Sequence, residues 1–324
     1  MRILFVTATR IGDAVLSTGL LDHLLRRHPG ASVTVACGPA AAGLFDALPG
    51  RDRVIALEKR RFGLHWLSLW RAVAGTRWDV AVDLRGSALT ALLRAGERHV
   101  MRGGRRGGHR IAQIGAVLGL DPPPLPVAWT APEHVARAAA LIPPGGPVIG
   151  LGPTANWAGK LWEPARFVAL FDLLSAADGP LPGARAAVFA GPGASERAMA
   201  APVLASLPRG RTIDLAGTLS LPEAAAALAR CTLYVGNDSG LMHLAAAAGA
   251  PTLGLFGPSP PEEYAPVGPR AAFVRTPETV HELVARPGYD HRTTASLMGS
   301  LTVEAAFAAA SDLLARLAPP QAAQ

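Results

Sequence analysis

Residues 236–243 combine side chains that could bind an anion. They follow an apolar run at 232–235 and precede an alanine-rich stretch, so they stand where a strand passes into a helix. First-turn N–H groups of a helix have no intrahelical partner and lie at the positive end of its dipole, which suits a phosphate. The alternative is capping, with Asp238 or Ser239 bonded to the first turn and His243 packed inside. The candidate anion-binding residues are Asp238, Ser239, Gly240 and His243.

A second strand-to-helix turn, residues 7–15, places a carboxylate in the first turn of a helix. Gly12 permits a tight turn, and Asp13 follows it directly. The turn lacks the Gly-x-Gly-x-x-Gly pattern of dinucleotide sites, so we expect no nicotinamide or flavin cofactor here. Asp13 could act as a general base on a sugar hydroxyl. The alternative is a carboxylate that only complements the helix dipole.

Two loops in the second half carry charged residues next to small ones. Residues 150–164 contain Lys160 shortly before a helix that starts near Pro164. Lys160 could neutralise a diphosphate as a compact point charge, or it is a solvated surface lysine. Residues 191–197 again place glycines before a helix. There Glu196 could accept hydrogen bonds from a ribose, or it is only a first-turn residue.

Composition narrows the class of protein. The chain has 324 residues, half of them hydrophobic and 17% charged, which excludes global disorder and favours two domains. The net charge of +7 indicates an acidic partner: a phosphorylated glycan, an anionic membrane face or a nucleic acid. Only two cysteines occur, Cys37 and Cys231, one in each half. A disulfide framework is therefore not expected, and a reducing cytoplasm fits best.

No apolar run is long enough to span a bilayer. The apolar N-terminus is interrupted by Arg10 and Asp13, so it indicates a first strand and not a signal peptide. We therefore expect a cytoplasmic protein that contacts a membrane surface through basic residues.

Short apolar runs alternate with helical patterns along the whole chain, which predicts βαβ units and parallel sheets. The proline- and glycine-rich segment 143–147 interrupts this alternation. The prediction is an α/β protein with Rossmann-like domains at 1–145 and 146–302, and a final helix within 303–324 that packs back on the first domain. The predicted strands are 3–7, 33–36, 54–57, 80–83, 148–151, 186–190, 212–215, 232–235 and 252–255.

Five motifs, in this order, resemble the heptosyltransferase family of lipopolysaccharide biosynthesis, the ninth glycosyltransferase family. The resemblance extends from Ile3 to about Phe307. Each motif alone is weakly specific, whereas the five motifs in this order and at this spacing are specific for the family. The motifs are Arg10-Ile11-Gly12-Asp13, Asp83-Leu84-Arg85-Gly86, Lys160-Leu161-Trp162-Glu163-Pro164, Asn237-Asp238-Ser239-Gly240-Leu241-Met242-His243-Leu244 and Leu255-Phe256-Gly257-Pro258.

The resemblance implies a GT-B fold, with two Rossmann-like parallel-sheet domains facing a central cleft. It also implies inverting transfer of a heptose from ADP-heptose to a Kdo or heptose hydroxyl of the lipopolysaccharide inner core. Asp13 would be the base and Lys160 would contact the donor diphosphate. No Asp-x-Asp motif occurs, so neither a metal nor another cofactor is expected. Donor-binding residues would be Gly12, Asn156, Glu196, Leu219, Asp238, Ser239, Gly240 and His243.

Basic residues concentrate in the first half of the chain. In the family interpretation they face an anionic lipopolysaccharide acceptor and the cytoplasmic face of the inner membrane. A nucleic acid is not expected, because few aromatic residues are interleaved with them. The cluster comprises Lys59, Arg60, Arg61, Arg94, Arg98, Arg102, Arg105, Arg106 and Arg110. The residues assigned to the acceptor are Arg10, Arg60, Arg61 and Arg85.

Two regions depart from the family pattern. Several relatives carry two threonines where this chain has Ala155 and Asn156, and many carry cysteines where it has residues 288–292 and 296–298. His281 and His291 do not have the spacing of a metal pair. The alternative functions are a sugar-nucleotide enzyme of GT-B fold with another donor, an epimerase, or a non-catalytic nucleotide-sugar-binding protein.

Overall fold

A computed structural model describes residues 1–102, 107–285 and 289–318. The chain divides into two compact units, Met1–Ala131 and Pro132–Gln324. The sequence placed the boundary later, after residue 145. The helix at Pro132–Leu141 packs on the helix at Leu221–Leu228, and Arg230 Nε donates to the Ile142 carbonyl at 2.7 Å. These contacts join the helix before the proline-rich segment to the second unit.

The first unit contains a five-stranded parallel sheet in the order β3-β2-β1-β4-β5. Its strands are β1 (Arg2–Val6), β2 (Ser32–Cys37), β3 (Arg51–Ala56), β4 (Trp78–Asp83) and β5 (Ala95–Val100). The four strands predicted in this half are confirmed. The fifth was not predicted, because Glu97, Arg98 and His99 give this edge strand a polar sequence.

Helices cover this sheet because its central strand is apolar on both faces. They are α1 (Ile11–Arg27), α2 (Pro39–Ala42), α3 (Leu64–Val73) and α4 (Arg110–Gly115). Leu4 and Val6 of β1 pack in one core cluster with Leu69 and Val73 of α3. The intervening β1 residues are also fully buried and point to the opposite face.

The second unit contains a six-stranded parallel sheet in the order β11-β10-β9-β6-β7-β8. Its strands are β6 (Val148–Gly152), β7 (Arg185–Val188), β8 (Thr212–Asp214), β9 (Leu233–Asn237), β10 (Thr252–Phe256) and β11 (Ala271–Arg275). The five predicted strands are confirmed, whereas the edge strand β11 was not predicted. Each sheet reverses its strand order once, between β1 and β4 and between β6 and β9. In such sheets ligands bind at the carboxyl ends of the strands beside the reversal.

The helices of the second unit include the final helix of the described chain, which joins the second core. They are α5 (Pro132–Leu141), α6 (Pro164–Ser175), α7 (Ala194–Ser206), α8 (Leu221–Leu228), α9 (Gly240–Ala247), α10 (Pro261–Tyr264), α11 (Val280–Val284) and α12 (Val303–Leu317). Within the second unit α12 packs on α6, β10 and β11, because Ala306, Ala310 and Leu313 form an apolar stripe that joins the second core. Its packing on the first domain stays a prediction.

Candidate active site

In the first unit, the predicted base lines a cavity at the β1/β4 reversal. Val6 and Asp83 are register partners at the ends of β1 and β4, so the loops that follow them meet at the same edge of the sheet. Asp13, in the first turn of α1, and Arg85, just after β4, line a cavity of about 240 Å³. Gly12 precedes Asp13 and is half-buried. The structure thus brings two of the predicted site residues together.

Asp83 holds the loop that carries Arg85. It is fully buried, and its carboxylate accepts hydrogen bonds from the backbone N–H groups of Arg85 and Ser87 at 2.8 and 2.9 Å. Burial raises the pKa of Asp83 above its ordinary value, while the hydrogen bond from the Ser87 hydroxyl acts in the opposite direction. The Arg85 guanidinium lies 5.4 Å from the centre of the Trp66 ring, within cation–π range.

Arg110 also lines this cavity. It begins α4, and its Nη1 donates to Gln113 Oε1 at 3.0 Å. Its Nε is buried and has no hydrogen-bond partner among the described residues. Two guanidinium groups and one carboxylate give the lining of the cavity a net positive charge, which suits an anionic sugar. The sequence counted Arg110 in the basic cluster but did not place it beside Asp13, because α4 follows β5, which was not predicted.

The other arginines assigned to the acceptor are not among the residues lining this cavity. Arg10 is the exposed N-cap residue of α1. Arg60 and Arg61 are exposed before α3, where Arg61 lies 5.0 Å from the Phe62 ring centre. Arg105 and Arg106 of the basic cluster lie outside the described residues.

In the second unit, Asp238 is the centre of a polar cluster at the β6/β9 reversal. Its Oδ2 accepts from Lys160 Nζ at 2.5 Å and from the Ser259 hydroxyl at 2.6 Å, and its Oδ1 lies 3.9 Å from His243 Nε2. Lys160, Asp238 and Ser259 follow β6, β9 and β10, which are neighbours in the sheet. The sequence did not single out Ser259, although it directly follows the Gly257-Pro258 end of the last motif.

Asn237 fixes the loop that carries Lys160. It is fully buried at the end of β9. Its side-chain amide donates to the Pro153 carbonyl at 2.9 Å and accepts from the Trp162 backbone N–H at 3.1 Å. Both ends of the loop are thus tied to β9, so the position of Lys160 does not depend on its contact with Asp238 alone. Asn156, within this loop, is exposed.

The start of α9 is not capped by a side chain. Ser239 is its N-cap residue and makes no side-chain capping hydrogen bond. The Asp238 carboxylate instead accepts from Lys160 and Ser259. Gly240 begins the helix, and His243 is buried in its first turn. The first-turn N–H groups are therefore not engaged by the Ser239 side chain, in contrast to the capping alternative considered from the sequence.

The other residues assigned to the donor follow β7 and β8. Glu196, near the start of α7, accepts through Oε2 from the Gly191 backbone N–H at 2.8 Å and from the Thr154 hydroxyl at 2.9 Å. It thereby joins the turn after β7 to the loop after β6. Leu219 is half-buried in the turn after β8. These residues stand on the same carboxyl edge of the sheet as Lys160 and Asp238.

The segment where family members carry cysteines packs on the Lys160 loop. Leu297 N–H donates to the Gly159 carbonyl at 3.0 Å, and the Ser296 hydroxyl donates to the Leu161 carbonyl at 2.5 Å. Tyr289 makes an edge contact with Trp157, with ring centres 6.4 Å apart. Gly288 lies outside the described residues. This segment therefore supports the loop through one backbone hydrogen bond, the Ser296 hydroxyl and the Tyr289 ring.

Across residues 1–102, 107–285 and 289–318, no group of three or more His, Cys, Asp or Glu side chains is arranged to hold a metal ion. Within the same ranges, no helix combines the length and apolar character needed to cross a bilayer.

Known proteins with this arrangement identify the family. The model of glycosyltransferase family 9 (heptosyltransferase) matches residues 116–287, just over half of the chain. Lipooligosaccharide heptosyltransferase 2 of Haemophilus influenzae is 24% identical over 314 residues, which cover 85% of this chain and 88% of that protein.

Two solved structures share the fold over nearly the whole chain. The family 9 glycosyltransferase of Veillonella parvula aligns with a TM-score of 0.77 at 22% identity, covering 97% of both chains. The ADP-heptose lipopolysaccharide heptosyltransferase II of E. coli aligns with a TM-score of 0.75 at 21% identity, covering 98% of this chain and 99% of that one. The predicted GT-B fold is thereby confirmed. The chain belongs to glycosyltransferase family 9, the heptosyltransferases, and is a glycosyltransferase.

Proposed function

We propose that the protein transfers a heptose from ADP-heptose to a Kdo or heptose residue of the lipopolysaccharide inner core. The observation that carries this proposal is the cluster of Lys160, Asp238 and Ser259 beside the uncapped start of α9. It offers a cation and free backbone donors at the strand reversal where α/β sheets bind nucleotides. Family membership and the similarity to an ADP-heptose lipopolysaccharide heptosyltransferase support this choice of donor and acceptor.

On the donor side, Lys160 and the first-turn N–H groups of α9 would bind the diphosphate. Asp238 would hold Lys160 and Ser259 in place and would not act in the chemistry, because a second negative charge beside a leaving diphosphate opposes its departure. Glu196 has a second carboxylate oxygen for a ribose hydroxyl. Leu219 would lie near the adenine. The remaining donor residues in this proposal are Gly12, Asn156, Ser239, Gly240 and His243.

On the acceptor side, Asp13 would accept the proton of the attacking hydroxyl. The hydroxyl oxygen bonds to the anomeric carbon as the bond to the diphosphate breaks, so the configuration inverts and ADP leaves. Lys160 and backbone donors would stabilise the charge that develops on ADP, with no metal required. Arg85 and Arg110, which line the cavity with Asp13, would bind the anionic acceptor. Arg10, Arg60 and Arg61 would contact its outer phosphates at the cytoplasmic face of the inner membrane.

The test measures ADP release from ADP-heptose with a Kdo–lipid A acceptor and with EDTA present. We expect acceptor-dependent release by the wild type and a rate lower by about 100- to 10,000-fold in Asp13→Ala, the usual worth of a general base. Asp22→Asn is the matched control, because Asp22 lies on the same helix and forms an ion pair with the exposed Arg26. Full activity of Asp13→Ala would remove the proposed base, and no acceptor-dependent release by the wild type would refute the proposed function.

A further inference from the structure

Helix α3 and the turn before it expose an unusual run of large apolar side chains. Phe62, Leu64, Leu67 and Trp70 are 86, 50, 41 and 37% exposed, and we call these four residues the α3 ridge. They are four of the ten large exposed hydrophobic residues in the described part of the chain. Leu64, Leu67 and Trp70 are three residues apart and so share one side of the helix. Such clustering marks a contact surface, whereas single exposed apolar residues are ordinary.

The ridge is not part of the core cluster beneath α3. The buried side of α3 is formed by Leu69 and Val73, which pack on the sheet. Trp66 is half-buried and contacts the Arg85 guanidinium. The core is therefore complete on one side of α3, and the ridge points away from it.

Phe62 adds a second observation. Its φ is 55°, a left-handed conformation that is unfavourable for a residue with a bulky side chain. At 86% exposure its ring gains little from internal packing, and the Arg61 guanidinium lies 5.0 Å from its centre. The chain holds a strained backbone here and presents an aromatic ring to the outside.

The charge around the ridge identifies the kind of partner. Lys59, Arg60 and Arg61 precede the ridge, and Arg71 lies in the last turn of α3. Glu58 is the only carboxylate residue between residues 57 and 73. All four basic side chains are exposed. Apolar residues bordered by cations are the pattern of a segment that lies in the interface of an anionic bilayer. A second copy of the chain would bring the same cations together and be repelled.

We propose that the α3 ridge inserts into the headgroup region of an anionic phospholipid bilayer, with the flanking basic side chains on lipid phosphates. Trp66 lies on the side of α3 between the ridge and the buried residues, and it contacts the Arg85 side chain that lines the Asp13 cavity. Docking would therefore bring this cavity to the lipid surface. That consequence rests on the proposed function, in which the acceptor is lipid-linked.

The test is flotation of the full chain with vesicles of phosphatidylglycerol and phosphatidylcholine, compared with phosphatidylcholine alone. We expect the wild type to bind the anionic vesicles, more weakly as salt rises, and the variant Leu64→Ser/Leu67→Ser to bind at least tenfold more weakly. Leu125→Ser/Leu173→Ser is the matched control, because these leucines are 48 and 44% exposed elsewhere. Its binding should equal that of the wild type. Equal thermal unfolding of both variants establishes that they are folded.

Three results would overturn the docking proposal. They are no flotation of the wild type, equal flotation of the ridge variant, and equal flotation with neutral vesicles. Concentration-dependent self-association that is lost in the ridge variant, without flotation, would assign the ridge to a dimer instead.

Turnover separates this proposal from the proposed function. The ridge variant should keep the wild-type rate on a lipid-free inner-core acceptor and lose rate on the same acceptor embedded in anionic vesicles. Flotation without turnover on the lipid-free acceptor would support docking and refute the proposed function. Turnover on that acceptor without flotation would support the proposed function and refute docking.

Discussion

Removing the ion pair between Lys160 and Asp238 is expected to destabilise the second unit far more than removing a surface pair. The two side chains are 17 and 7% exposed, and Lys160 Nζ lies 2.5 Å from Asp238 Oδ2. At this exposure the solvent screens the pair little. Hydrogen bonds to charged groups contribute about 1.5–3 kcal/mol, and removing one partner also leaves the other charge poorly compensated. We therefore expect a coupling energy of about 2–3 kcal/mol.

A double-mutant cycle of Lys160→Met and Asp238→Ala measures this coupling. The free energy of unfolding comes from urea denaturation, and hydrogen exchange of the β9 amides (Leu233–Asn237) assigns the transition to the second unit. The double variant should be more stable than the sum of the two single effects predicts. The matched control is the cycle Arg26→Met with Asp22→Asn, since Arg26 is 78% exposed. That pair should couple by only about 0.3–0.5 kcal/mol.

The result that would refute this reasoning is additivity. If the two single effects sum to the double effect within about 0.5 kcal/mol, Lys160 and Asp238 do not stabilise one another in the folded protein. The carboxylate would then not be what holds Lys160 at the edge of the sheet. The loop would then be held by Asn237 and by the segment at 289–297, and the proposed role of Asp238 as the organiser of the donor site would lose its basis.

Two further predictions concern buried groups. Asn237→Ala removes hydrogen bonds to two backbone groups and should lower the free energy of unfolding by about 2–4 kcal/mol, measured by urea denaturation. The control Asn156→Ala, at an exposed position, should change that free energy by under about 0.5 kcal/mol. Equal effects of the two variants would contradict the structural role of Asn237. Burial raises the pKa of Cys37 and Cys231 from 9.0 to about 12, so the folded state binds more protons between these values. The thiols should resist alkylation by iodoacetamide at pH 9 until urea unfolds the protein. Their contribution to the free energy of unfolding, present below pH 9, should be lost as the pH rises toward 12. Alkylation of the native protein as fast as that of the unfolded protein would show that the thiols are accessible and would contradict this prediction.

Hydrophobic pattern was sufficient to predict nine of the eleven strands. Central strands of a parallel sheet are buried on both faces, so they appear in the sequence as short continuous apolar runs. The two missed strands, β5 and β11, are edge strands. An edge strand is partly exposed and tolerates charged residues, as Glu97 and Arg98 in β5 show. Such a strand forms because a neighbouring strand offers backbone hydrogen bonds, and the strand's own residues do not reveal that neighbour.

The motifs predicted which loops carry polar side chains, but not which side chains meet. Asp13 and Arg85 are 72 positions apart in the sequence, and they line one cavity because β1 and β4 are adjacent in the sheet. The same cavity includes Arg110, which belongs to none of the five motifs. The assignment of Arg10, Arg60 and Arg61 to the acceptor stays a prediction.

The sequence by itself determined the α/β class, the family and the loops at the strand ends, because these depend on local apolar periodicity and on short motifs. Only the tertiary structure decided that α5 and α12 belong to the second unit and that Ser259 joins Lys160 on Asp238. It also decided that the Ser239 side chain makes no capping hydrogen bond to α9. These features depend on which strands become neighbours, and that is set by packing of the whole sheet and not by any local stretch of the chain.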